Sequence, residues 1–363
     1  MRAMWPDTRL IELFGSETPI VQAPMAGAMD EELAIAASNG GALASLPCAM
    51  IPVDQARAQV ARFRARATGP LALNFFCHAP AAVDAVRTAA WKERLAPAYA
   101  ALAIDALATR EAATRAPFDA AMCALVEELA PRVVSFHFGL PEAALLARVK
   151  AAGCVVLASA TTVKEASWLD ARGVDVIIAQ GAEAGGHRGM FLTDDPASQP
   201  GTFALVPQIV DAVRVPVIAA GGIADARGIV AAFALGACGV QLGTAYLRCP
   251  EAKITAPFRA ALEQANDEST VLTNVFTGRL ARGIRNEAID LLGPIADDAP
   301  AYPHAATALA PLRAAAERAG SGAFSPLWAG QAVHLARAMP AAELTRELAA
   351  ASLASFRASS GTR

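Results

Sequence analysis

The sequence of 363 residues predicts an α/β fold, a closed (β/α)8 barrel with a smaller, mainly helical cap. Three observations predict it. Eight short β-branched or apolar runs recur along the chain, continuous rather than alternating, as strands buried on both faces should be. Helix-like segments rich in Ala, Glu, Arg and Leu lie between most of them, which makes eight βα units. Two longer segments fall outside that repeat and supply the second domain.

The runs are "PIVQAPM" (19–25), "GALASLP" (41–47), "LALNFFC" (71–77), "VVSFHFG" (133–139), "CVVLASA" (154–160), "VDVIIAQG" (174–181), "PVIAAGG" (216–222) and "GVQLGTAYL" (239–247). Segments such as "TVKEASWLDARG" (162–173) and "DARGIVAAFALGA" (225–237) read as the intervening helices. An open doubly wound sheet is the alternative, but its GxGxxG fingerprint is absent after the first strand, where the chain reads "APMAGAMD". The expected organisation is a barrel over 1–247 with a helical insertion at 79–130, a cap over 248–316, and a C-terminal segment, 317–363, returning to the barrel. The helix expected in "PAAELTRELAAASLASFRA" closes the outer ring.

Composition narrows the class. Apolar residues make up 55% of the chain, enough for a sizeable core. The net charge of −3, with both signs interspersed, gives no reason to expect nucleic acid or an anionic membrane as partner. Neither a secretory leader nor a membrane span is expected. Six cysteines without CxxC spacing read as reduced thiols of a cytoplasmic protein, and no metal site is expected. A monomer or a homodimer is expected.

In a (β/α)8 barrel the site lies at the C-terminal ends of the strands. Gly221-Gly222 ends the seventh run and Gln241-Leu242-Gly243-Thr244 lies in the eighth. These are the positions of the usual phosphate cradle, where glycine lets backbone N–H groups approach the anion. Tight turns alone are the bland alternative; the two pairs together favour phosphate. No basic cluster accompanies them, so the phosphate belongs to a larger cofactor. Asn74 and Gln180 end the third and sixth runs, and each amide offers both a donor and an acceptor to a heteroaromatic edge. Pro24-Met25-Ala26 supplies backbone edge and apolar cover. Flavin mononucleotide (FMN) fits this arrangement; a nicotinamide dinucleotide needs a longer groove.

His187 follows in "QGAEAGGHRG", among Gly181, Gly185, Gly186 and Gly189. A lone histidine is more often structural, but this loop lets backbone and ligand approach closely. An imidazole there suits a small anionic or acidic substrate. His137 reads either as a second pocket histidine or as a packed one bonded to backbone. His78 is a weaker candidate, and His304 and His334 read as surface or helix residues. Arg279, Arg282 and Arg285 in "FTGRLARGIRN" read either as a solvated loop or as one that closes on an anion.

The chain resembles the nitronate monooxygenases, formerly called 2-nitropropane dioxygenases, and among them the class I branch. The resemblance rests on "PIVQAPMAG", "LALNFFC", "VSFHFGLP", "QGAEAGGHRG", "VIAAGGIAD", "GVQLGTAYL", "FTGRLARGIRN" and "LWAGQA", and runs from residue 19 to about 332. It implies an FMN-containing TIM barrel with a helical cap that oxidises alkyl nitronates, propionate 3-nitronate among them, with O2. It implies that Asn74, Gln180, Gly185, Gly222 and Gln241 to Thr244 bind FMN, that His187 is the active-site histidine, and that His137 and Tyr302 meet the substrate. Trp328 to Gln331 matches a segment close to the flavin. Ala98-Tyr99, Cys249, Lys253 and the run "YPHAAT" depart from the family pattern, and they bear on substrate preference. NAD(P)H-dependent FMN reductases on the same barrel share the phosphate loops and are the competing reading. A flavin-free sugar-phosphate lyase needs a lysine or a metal-binding acid at a strand end, and none is there.

Overall fold

The computed structural model describes residues 5–105 and 115–360. Part of the expected insertion, 106–114, lies outside the described residues.

All eight runs form strands. β1 (Ile20–Gln22), β2 (Ala44–Pro47), β3 (Leu71–Phe76), β4 (Val133–His137), β5 (Val155–Ala160), β6 (Val176–Gln180), β8 (Val217–Ala220) and β9 (Gly239–Leu242) make one parallel sheet in the order β1-β9-β8-β6-β5-β4-β3-β2. A single parallel bridge between Val21 and Leu43 joins its two edges. Leu43 N donates to Ile20 O and Gln22 N to Leu43 O, so the sheet closes into a barrel. The eighth run is shorter than its apolar stretch implies. Its strand stops at Leu242, and Thr244–Leu247 turns into a short helix, because Gly243 breaks the extended path.

Period-two alternation sorts the strand residues into an outer and an inner set. Leu73, Phe75, Val134, Phe136, Val156 and Ile177 face the helices in the outer core. Ala72, Val133, Leu157, Val176, Ile178 and Ile218 fill the lower interior, together with Leu10 and Phe14 of the N-terminal helix Arg9–Phe14. One pleat further along the same inward-facing rows come Asn74, Ser135, Ser159 and Gln180. The barrel is thus apolar at the bottom and polar at the top, and the polar layer opens into a cleft. The last helix, Ala341–Ser360, packs against the helices Glu31–Asn39 and Ala226–Ala234 and completes the outer ring.

The region after β9 contains strands as well as helices. β10 (Thr270–Thr273) and β11 (Ala281–Ile284) form an antiparallel pair, and β11 also pairs with β7 (Gly186–His187), a two-residue strand inside the glycine loop. Ala281 lies opposite His187 in that register. A second apolar core joins the helix Ala85–Ala101, through Trp91, Leu95 and Tyr99, to Phe276, Leu309 and Leu312. Tyr99 Oη donates to Ala308 O at 2.6 Å. Among the described residues, no helix is long and apolar enough to cross a membrane.

Candidate active site

The parallel register gathers the strand ends. Phe76 lies beside His137, Asn74 beside Ser135, and Gln180 beside Ala220, which is itself beside Gln241. The cleft above them is lined by Pro24, Met25, Ala26, Asn74, His137, Gln180, Gly185, His187, Gly221, Gly222, Gln241, Gly243, Thr244 and Trp328. Of the residues expected there, Leu242 turns its side chain into the outer core. Tyr302 is not on the cleft wall; it lies behind it, 5.5 Å from His187 between ring centroids.

One end of the cleft is built for an anion. Gly221 and Gly222 adopt φ of 107° and 71°, conformations that glycine takes without strain. The amides of Gly222, Ile223, Gly243 and Thr244 donate to no acceptor among the described residues. Four free N–H groups at the ends of adjacent strands suit a phosphate. Thr244 Oγ1 accepts from Gly330 N at 2.9 Å, so its own proton remains available to a ligand.

His187 is held at three points. Its backbone pairs with β11. Its carbonyl accepts from Gln180 Nε2 at 3.0 Å and from His137 Nε2 at 3.2 Å. Its ring Nε2 lies 2.9 Å from Thr277 Oγ1. A carbonyl only accepts, so His137 carries its proton on Nε2, and His137 Nδ1 accepts from Ser159 Oγ at 3.1 Å. Nε2 of His137 therefore holds the loop, while Nδ1 ties the ring to the end of β5. Gln180 Oε1 accepts from Gly189 N at 2.7 Å, which leaves one N–H of its amide for a ligand. Asn74 gives Nδ2 to Ser135 Oγ at 2.9 Å and keeps Oδ1 without a partner among the described residues.

Both histidines are neutral at pH 7. Burial pushes His137 down to about 4, against the opposing pull of its bond to the His187 carbonyl. Burial also drives His187 well below its ordinary value, and the charges of Arg115 and Arg279 and the neighbouring His137 and His78 add to the effect.

Several supporting residues escaped sequence reasoning. Arg188 is fully buried; it donates Nη1 to Gly181 O and Nη2 to Gln180 O, both at 2.6 Å, and locks the turn below the loop. Glu165, also fully buried, accepts from Thr161 N and Oγ1 at 2.7 Å, Phe191 N at 2.6 Å and Leu192 N at 3.1 Å. The only local signal for Glu165 is Thr162-x-x-Glu165, which reads as a capping box. Thr162 does cap the helix, but the carboxylate turns to the loop instead. Of the three arginines in "FTGRLARGIRN", Arg282 is buried and donates Nε to Ala182 O at 2.9 Å. Arg285 is exposed and pairs with Asp290, while Arg279 stacks over Phe138 at 4.0 Å and donates to Met190 O.

Buried polar atoms without partners gather beside His187. Among the described residues they include Tyr302 Oη, Arg279 Nε and His78 Nδ1. His78 and Tyr302 have ring centroids 4.7 Å apart, and both surround Phe138. Unsatisfied buried donors are costly, and a bound acceptor removes that cost. Tyr302 Oη and Arg279 Nε are thus buried donors without partners, set behind the cleft beside His187. Among the described residues, no group of three His, Cys, Asp or Glu side chains is placed to hold a metal.

A barrel with four free amides and a neutral histidine across one cleft suits an enzyme that holds an anionic group at its strand ends. Comparison with known proteins narrows this reading. The nitronate monooxygenase family model matches residues 7–351. A nitronate monooxygenase from Paraburkholderia phytofirmans is 44% identical over 341 residues, 93% of each chain. One from Pseudomonas aeruginosa is 39% identical, over 94% of this chain and 97% of its own. The solved nitroalkane oxidase from Streptomyces ansochromogenes superposes with a TM-score of 0.86 at 37% identity, covering 96% of this chain and 99% of that one. The chain belongs to the nitronate monooxygenase family.

Proposed function

We propose that this enzyme is an FMN-dependent nitronate monooxygenase. It oxidises small alkyl nitronates, such as propionate 3-nitronate, with O2 to a carbonyl compound and nitrite. The observation that carries the reading is the set of four free amides at Gly222, Ile223, Gly243 and Thr244, across one cleft from a neutral His187.

The residues present fit FMN. The four amides and the Thr244 hydroxyl take its phosphate. Asn74 Oδ1 and the spare N–H of Gln180 meet the edge of its ring, and Pro24, Met25 and Ala26 cover it. Gly185 lets the loop pass close to Ala329 and Gly330, where a Cβ would lie 2.6 Å from backbone atoms. When bound, FMN supplies the electron acceptor that turns a nitronate into an oxidisable substrate.

The chain's own residues do the rest. Arg279 and Tyr302 attract the anion. His187 donates a hydrogen bond to the nitronate when it carries a proton. Toward a neutral nitroalkane it is instead a base for the α proton, since its imidazole is free at neutral pH. The six free cysteines suit a reducing, cytoplasmic setting.

The test begins with the absorbance spectrum of the purified protein. Propionate 3-nitronate is then added without oxygen, and NADH separately. Flavin absorbance that changes with the nitronate and persists with NADH, with nitrite released once air is admitted, supports the reading. Rapid bleaching by NADH moves the protein to the FMN reductases. A protein that stays colourless after added FMN ends the cofactor assignment.

A further inference from the structure

His187 has one side-chain hydrogen-bond partner for its ring among the described residues, Thr277. Thr277 lies in the turn between β10 and β11 and is 1% exposed. Its Oγ1 is 2.9 Å from His187 Nε2 and 3.4 Å from Arg279 O. A hydroxyl has one proton to give and lone pairs to receive. The Arg279 carbonyl can only accept; with the Thr277 proton turned to it, a lone pair faces Nε2 and Nε2 carries the imidazole proton. Nδ1 has no partner among the described residues, and the ring lines the cleft.

We infer that Thr277 is a positioning residue. It holds neutral His187 as the Nε2–H tautomer and leaves the Nδ1 lone pair as the base that meets substrate. The inference rests on the nitronate monooxygenase reading for its chemistry. The step is a proton transfer. The Cα–H bond of a neutral nitroalkane breaks, its electron pair remains on the C–NO2 group as the nitronate, and the proton goes to Nδ1. The resulting imidazolium is stabilised along Nε2–H to Thr277 Oγ1 and Thr277 O–H to the Arg279 carbonyl. The logic is that of any base oriented by a third group. The ring cannot turn to offer Nε2 instead without losing Thr277. The backbone on either side is fixed by β11, Gln180 and His137. The other titratable or charged groups facing the ring are His78, His137, Arg115, Arg279 and Tyr302.

The test has two independent readouts. The first is the nitrogen NMR spectrum of FMN-loaded protein labelled with ¹⁵N-histidine, with His187 assigned by comparison with His187→Gln. The wild type is expected to show His187 protonated on Nε2. Thr277→Ser keeps that pattern, and Thr277→Val shifts it toward protonation on Nδ1. A wild-type His187 protonated on Nδ1 overturns the inference, whatever the variants do. The second readout is nitrite release from a nitroalkane and from its preformed nitronate. Thr277→Val is expected to lose about tenfold or more in kcat on the nitroalkane and much less on the nitronate, and Thr277→Ser to restore both. Equal losses on the two substrates overturn the role assigned to Thr277. A wild type that releases nitrite from neither substrate instead ends the functional reading, and the tautomer spectrum then decides this inference alone.

Discussion

Acid should destabilise this protein well above the carboxylate range, because its site histidines are buried neutral. His78 and His137 are each lowered from the ordinary 6.5 to about 4. Burial is the main cause for both, and the charge of Arg279 adds to it. A base whose folded pKa is depressed binds fewer protons folded than unfolded. Stability therefore rises with pH through the window between the two values and is lost as pH falls from 6.5 toward 4. From pH 6.5 to 4.5 each of these two histidines costs the fold about 2 kcal/mol. Together they remove about 4 kcal/mol, a large share of a typical net stability of about 5–15 kcal/mol. His187 acts in the same direction. Carboxylates held low by arginine, such as Asp225 beside Arg227, lose their contribution only at lower pH. The assay is urea unfolding at pH 7, 6 and 5, with the slope of each transition checked for constancy. His78→Gln keeps a side chain able to bond the Arg115 backbone, as His78 does, so it should retain most of the wild-type stability at pH 7 and show a shallower fall with acid. A wild-type stability that is flat from pH 6.5 to 5, or a His78→Gln protein with the full wild-type slope, would refute the reasoning.

Three further predictions follow from named contacts. Gly185→Ala places a Cβ 2.6 Å from the Ala329 and Gly330 backbones; it should cost about 1–3 kcal/mol in urea unfolding and weaken FMN binding in a fluorescence titration. Glu165→Ala strands four donors that now share one buried carboxylate; a loss of about 3 kcal/mol or more is expected, with a lower thermal midpoint. Tyr302→Phe removes a buried hydroxyl without a partner, so stability should hold or rise slightly, while KM for the nitronate should increase severalfold in steady-state nitrite assays.

The barrel was legible in the sequence because its signals are local. Eight continuous apolar runs mark strands buried on both faces, and Gly221-Gly222 and Gly243-Thr244 mark strand ends where backbone must approach a ligand. His187 stood out for the glycines around it. What those strand ends face was a different matter. His137 reads either as a pocket histidine or as a packed one bonded to backbone, and only the fold shows that it lines the cleft and also bonds through Nε2 to the carbonyl of His187, fifty positions away. Nothing in the sequence around Arg188 signals that it is buried among carbonyls. "ARGI" reads as part of a basic loop in a helical cap and is a strand, because it completes a three-stranded sheet with two residues of the glycine loop. Thr277 lies 90 positions from the ring it touches. Residue order determines where chain turns and where apolar faces lie, since both depend on near neighbours. Which polar groups satisfy one another is decided only when distant segments are packed together. Burial then makes every hydrogen bond count, and it sets the charge state of each histidine.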